Sequence, residues 1–286
     1  MSKIEPKDFL YKKVVDKSVL YQGINIEKNY QMFFQLFCKE LVSHGSSVKT
    51  KILLDNQLYE VNLNNVDFNQ QAHPGHIDLI QFRYSSNSPF ALKLQEIFYR
   101  TKEYVDPIQA AKKKGDRSPI IIPEGQREYI VMSSTSFSNI FVMDCITLEE
   151  DVEIKKELIK MPEYDFEKDY TPMVDPNATV VTKEALVKYR KLDKSIGDSL
   201  KKLYDYRCQV TGERIGEGYG CQVVEAHHLV PFMKSQNNNA DNIIILSPNF
   251  HRIVHKSKAE FSKKKMAFIF PNGVKEKVKL DKHLKK

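Results

Sequence analysis

Four of the chain's eight histidines fall between positions 227 and 255, in the order Glu225-Ala-His227-His228, Asn242 and His251-x-x-x-His255. Imidazole both ligates metals and takes up a proton near neutral pH, so a concentration of it restricts which local folds are useful. The surrounding residues set the elements. Ile243–Leu246 is a short apolar run that reads as a strand, and Ser247-Pro248 after it supplies a helix N-cap and first-turn proline. His251 and His255 then share one helix face, about 6 Å apart along the axis, a separation one metal ion can bridge. His227 closes a preceding strand, and strand alternation turns His228 to the opposite side. The segment therefore reads as strand, loop, strand and helix, a ββα unit.

The same pattern divides labour among the histidines. His227, His251 and His255 are the candidate ligands of one divalent ion, and His228 remains as a candidate general base. Three nitrogen ligands leave positions open for a phosphate and water, as hydrolysis of a phosphodiester requires. An all-imidazole set favours Zn²⁺, Ni²⁺, Co²⁺ or Mn²⁺, with a labile Mg²⁺ site left open.

A histidine doublet, an asparagine and then a helical histidine resembles the HNH, or ββα-metal, nuclease motif. The variant with Glu-x-His-His followed by His-x-x-x-His resembles that of bacterial DNase toxins. Arg207-Cys-Gln-Val-Thr-Gly212 and Glu225-Ala-His-His-Leu-Val-Pro231 also resemble HNH domains attached to restriction enzymes. The resemblance covers roughly residues 200–260. It implies that His228 is the general base and that Asn242 holds the loop and orients it. It further implies that His227, His251 and His255 bind metal, that Glu225 supports a ligand, and that Arg252 contacts phosphate. Products would carry 5′-phosphate and 3′-hydroxyl ends. The paired Cys-x-x-Cys of many such domains is missing, because Thr211 and Phe250 stand where second cysteines would be. A four-cysteine zinc site is thereby excluded, and Cys208 and Cys221 are expected to be packed.

Charge supports a polyanionic partner. Residues 1–180 hold 22 basic against 26 acidic side chains, whereas 181–286 hold 22 against 11. A basic C-terminal third is the electrostatic footprint of a nucleic-acid-binding unit. No apolar run of about 18 residues exists to span a membrane. The charged N-terminus lacks a signal-like apolar stretch, and four scattered cysteines form no disulfide framework. The expectation is a cytoplasmic protein that acts on double-stranded DNA, with self-association as a homodimer left open.

Pro162, Pro172 and Pro176 with an acidic run suggest a linker, which places a first domain at 1–155, a linker at 156–182 and a second domain at 183–286. The first domain reads as β-rich. Val48–Leu54 and Leu58–Val66 form a hairpin around Asp55-Asn56-Gln57, with further strands at Ile77–Tyr84, Pro119–Pro123, Glu128–Met132 and Ile140–Thr147. Helices are expected at Asn29–Val42 and Pro89–Tyr104. The second domain opens with a helix carrying Leu186, Tyr189, Leu192, Ile196, Leu200 and Leu203, then a glycine-rich hairpin from Thr211 to Gly220. It closes with a hairpin of Met266–Phe270 and Val274–Leu280. The fold class is α+β, a pseudobarrel-like domain followed by a ββα-metal domain.

The N-terminal half also resembles B3-like pseudobarrel DNA-recognition domains of restriction enzymes, through Gln22-Gly-Ile-Asn-Ile-Glu-Lys28 and Gln81-Phe-Arg-Tyr84. That resemblance implies base contacts from Arg83, Asn87 and the loops at 22–28 and 72–76. Lys112, Lys113 and Lys114 form a basic loop able to meet phosphate, although a solvated loop is the simpler reading. His73-Pro-Gly-His76 reads as a turn between strands rather than as a second metal site. The function implied is a metal-dependent, site-specific restriction-type endonuclease. A modification-dependent nuclease and a non-catalytic DNA-binding protein with a structural metal remain as alternatives.

Overall fold

The computed structural model describes residues 4–38, 42–69, 71, 78–158, 180–230 and 239–284. The chain is mixed α/β and divides into two compact units, Met1–Val152 and Glu153–Lys286. Residues 159–179 of the expected linker, and the His73–His76 segment, lie outside the described residues.

The first unit is built on a curled, seven-stranded half-barrel sheet. Its strands are β1 (Phe9–Val14), β2 (Gly23–Asn25), β3 (Ser47–Leu54), β4 (Gln57–Asn65), β5 (Ile80–Arg83), β6 (Tyr129–Ser133) and β7 (Ile140–Ile146). They run in the order β1-β6-β7-β3-β4-β5-β2, antiparallel throughout except for β3 beside β7. Helices α1 (Lys17–Tyr21) and α2 (Lys28–Phe37) flank β2, while α3 (Pro89–Ile97) and α4 (Tyr99–Ala111) join β5 to β6, and α5 (Leu148–Leu158) follows β7. The core is aromatic: Phe82 meets Phe141 edge-on at 5.1 Å and Phe9 meets Phe33 at 5.7 Å.

The central hairpin is tighter than the sequence suggests. Leu54 pairs with Gln57, so only Asp55 and Asn56 form the loop, both with positive φ of 48° and 61°. That is the geometry of a type I′ turn, which matches strand twist and which Asp and Asn tolerate. The helix expected at Pro89–Tyr104 is two helices broken at the fully buried Phe98. The second runs on to Ala111 and is capped by buried Glu128, whose carboxylate accepts from Thr101 N at 3.2 Å and Thr101 Oγ1 at 2.7 Å. Pro119–Pro123 forms no strand: prolines at both ends remove ladder donors, and Ile121 is exposed.

In the second unit, helix α6 (Val180–Leu203) precedes a two-stranded ribbon of β8 (Glu225–His228) and β9 (Ile243–Leu246), and helix α7 (Pro248–Ser257) follows. A three-stranded sheet of β10 (Glu260–Ser262), β11 (Ala267–Ile269) and β12 (Lys275–Lys277) ends it. The expected hairpin at 211–220 is instead a series of turns around a short 3₁₀ segment, Glu217–Tyr219. Gly212, Gly216 and Gly220 all take positive φ, which leaves no extended run for a ladder. Cys208 is buried in the core of this unit with Val210, Leu246, Val254 and Phe268, whereas Cys221 is exposed, contrary to the expectation that both are packed.

All four residues of β9 are buried because the ribbon is covered on both faces. Ile244 and Leu246 belong to the core shared with Val254 of α7 and Phe268 of β11. Alternation turns Ile243 and Ile245 the other way, towards the apolar stripe Ile196 and Leu200 of α6.

Candidate metal centre

The register of the ribbon assigns each side chain to a face. Glu225 stands opposite Leu246, His227 opposite Ile244 and His228 opposite Ile243. Glu225 and His227 therefore project to the α7 side, and Ala226 and His228 to the α6 side.

On the α7 side three imidazoles form a nearly equilateral cluster. Ring centroids of His227 and His251 are 5.0 Å apart, of His227 and His255 4.8 Å, and of His251 and His255 4.6 Å. One ring nitrogen from each lies within 4.8 Å of the others, and His251 Nε2 is 2.9 Å from His255 Nε2. Tetrahedral coordination at about 2.0–2.1 Å sets ligand nitrogens roughly 3.4 Å apart, inside that range. The helix that presents two of the rings is well anchored, since Ser247 Oγ accepts from Phe250 N and Pro248 occupies its first turn. His251 Nδ1 pairs with the Glu225 carboxylate. That contact holds a proton on Nδ1 and leaves the Nε2 lone pair facing the space between His227 and His255, the usual carboxylate–histidine arrangement behind a metal. Donor type, spacing and the supporting carboxylate all fit a borderline divalent ion such as Zn²⁺.

Comparison with family models, with curated proteins and with solved structures finds no match. The site therefore stands on its own geometry.

Asn242 clamps the loop that leaves the histidine doublet. Its Oδ1 accepts from Val230 N and its Nδ2 donates to Val230 O, both at 3.0 Å, and Leu229 N donates to Asn242 O at 2.8 Å. It reaches His228 through the backbone of Leu229 and Val230. Arg252 is exposed beside His251 on α7.

Two contributions were not foreseen from the sequence. On the α6 side, Asp193 Oδ1 lies 3.3 Å from His228 Nε2. The signal was an aspartate beside the Leu192–Ile196–Leu200 stripe, one turn ahead of a mid-helix glycine. The other is His283, whose Nε2 donates to Ile243 O at 2.9 Å while Nδ1 accepts from Tyr204 OH at 2.6 Å. It ties the C-terminal segment and the end of α6 to the strand opposite His228.

The remaining predicted residues belong to the first unit. Arg83 ends β5, paired with Gly23 of the edge strand β2, and Asn87 is exposed in the turn before α3. Lys112 is turned into its own loop, donating to Ser118 O and, at 3.0 Å, to Ser118 Oγ, while Lys113 and Lys114 are exposed.

Proposed function

We propose that the second unit is a metal-dependent endonuclease centre and that the first unit targets it to duplex DNA, as in a site-specific restriction enzyme. The observation that carries this reading is the convergence of His227, His251 and His255, with a fourth imidazole, His228, adjacent in the same strand. Bound by those three residues, a divalent ion supplies charge stabilisation at the scissile phosphate and the leaving 3′ oxygen. Glu225 orients His251, Asn242 fixes the loop behind His228, and His228 takes the proton of the attacking water. Arg252 is exposed and free to approach a phosphate from the same helix that carries two ligands. No described helix is long and apolar enough to cross a membrane.

The half-barrel with α2 between β2 and β3, and α3 and α4 between β5 and β6, supports the B3-like reading of the first unit. Arg83 and Asn87, both exposed, are its candidate base readers.

The test is digestion of methylated and unmethylated duplex DNA with added Zn²⁺, Ni²⁺, Mn²⁺ or Mg²⁺, followed by sequencing of the ends. Discrete 5′-phosphorylated ends that disappear in His228→Ala, with metal and DNA binding retained, are expected. Ends found only on methylated DNA would replace restriction with a modification-dependent activity. Metal binding without cleavage under any condition would reduce the site to a structural one.

A further inference from the structure

The long helix ahead of the motif contributes a side chain to the site. Gly197 sits in the interior of α6, where glycine costs about 1 kcal/mol relative to alanine. Its value there is space: a Cβ at Gly197 would stand only 3.2 Å from Ala226 Cβ on β8. The helix thus lies almost flush against the strand. One helical turn before Gly197 is Asp193, about 6 Å away on the same face. Two residues after Ala226 is His228, about 6.7 Å away on the same strand face. The two spacings nearly match, so seating Gly197 on Ala226 carries Asp193 to His228, where Oδ1 and Nε2 are 3.3 Å apart. Both atoms are shut off from solvent, close enough to attract by charge without the alignment of a hydrogen bond between them.

We propose that Asp193 is the positioning residue of His228, an inference that rests on the nuclease reading above. The negative charge of a carboxylate beside Nε2 favours the hydrogen there and biases the ring's orientation, which leaves the lone pair on Nδ1. In the reaction, the water oxygen bonds to phosphorus as the P–O3′ bond breaks. The water proton passes to His228 Nδ1, and the 3′ oxygen takes a proton from solvent. Asp193 touches neither water nor phosphate. It sets which nitrogen is free and where it points. The ribbon then has one face for the metal and one for holding the base, with adjacent residues of one strand serving each.

Two measurements test this on the full chain. In steady-state cleavage, Asp193→Ala is expected to lower kcat by about 10²-fold or more, with KM for DNA and Zn²⁺ affinity unchanged. Asp193→Asn, which keeps the shape and an acceptor oxygen, restores part of the loss and serves if the alanine variant fails to fold. Independently of cleavage, ¹⁵N NMR of histidine-labelled protein at a pH above imidazole titration reads the tautomer of His228. The wild type is expected to show Nε2–H and Asp193→Ala a mixture, with Gly197→Ala moving the same way by wedging the helix off the strand. An unchanged tautomer in Asp193→Ala overturns the proposal, as does an unchanged kcat. If the wild type cuts no DNA, the nuclease reading falls, while the tautomer still decides whether Asp193 orders the ring.

Discussion

His283 offers a quantitative handle on how the ribbon is held. Its ring is 2% exposed, donates through Nε2 to Ile243 O and accepts through Nδ1 from Tyr204 OH, which itself accepts from Lys282 N at 2.8 Å. Protonation of Nδ1 would set two donors against each other and bury a cation. Burial accordingly holds the His283 pKa below its ordinary 6.5, against the opposing pull of the Ile243 carbonyl and Asp281. A histidine whose pKa falls on folding binds fewer protons folded than unfolded. Its stability contribution is complete above about pH 6.5 and is lost as pH falls through and below that value, until the folded pKa is reached. The limiting slope is about 1.4 kcal/mol per pH unit, so between about pH 7.5 and 5.5 the loss is at most about 1.4 kcal/mol. The perturbation is His283→Gln, which cannot titrate. The chain has no tryptophan, so urea unfolding is best followed by circular dichroism. The wild type should exceed the variant in stability at pH 7.5, and that margin should shrink towards pH 5.5 by up to the stated amount. A margin that stays constant, or grows as pH falls, would refute a neutral buried ring.

Other perturbations probe separate parts of the structure. His255→Ala should abolish tight Zn²⁺ binding in calorimetry, because two nitrogens are left in place of three. Glu225→Gln should weaken the same binding by roughly 10–100-fold while leaving the fold intact, since it loosens His251 without removing a ligand. Asn242→Ala removes the two side-chain bonds to the Val230 backbone and should cost roughly 1–3 kcal/mol of unfolding free energy, measurable in urea. Asn56→Val forces a β-branched side chain to a φ of 61° and should cost about 1–2 kcal/mol in the first unit, with metal binding untouched.

The elements legible in the sequence are those whose pattern is local. Ser247-Pro248 announces the start of α7, the step from His251 to His255 places both rings on one face, and the β-branched residues of β3, β6 and β7 and the alternation along β4 mark their strands. What escaped was set by distant partners. β1 is buried at Phe9, Leu10 and Tyr11 in succession, and a register shift between Phe9 and Tyr11 in its pairing with β6 erases the alternation that a sequence reading relies on. The Gly212–Gly220 segment has the composition of a hairpin, yet its left-handed glycines bend the chain too often to pair.

The site divides along the same line. Its metal half is encoded within 31 residues and needs only strand alternation and helical periodicity to be seen. Its other half depends on α6 and the C-terminal segment meeting the far face of the ribbon, through Asp193 at His228 and His283 at Ile243. Neither contact has a sequence period, because neither partner shares an element with the residue it touches. Both instead follow from burial. Ile243-Ile-Ile-Leu246 is apolar at every position, and a strand buried on both faces must have a second layer on the side that the metal ligands do not occupy. The aspartate one helical turn from the helix's closest-approach glycine is the polar residue of that layer that meets His228.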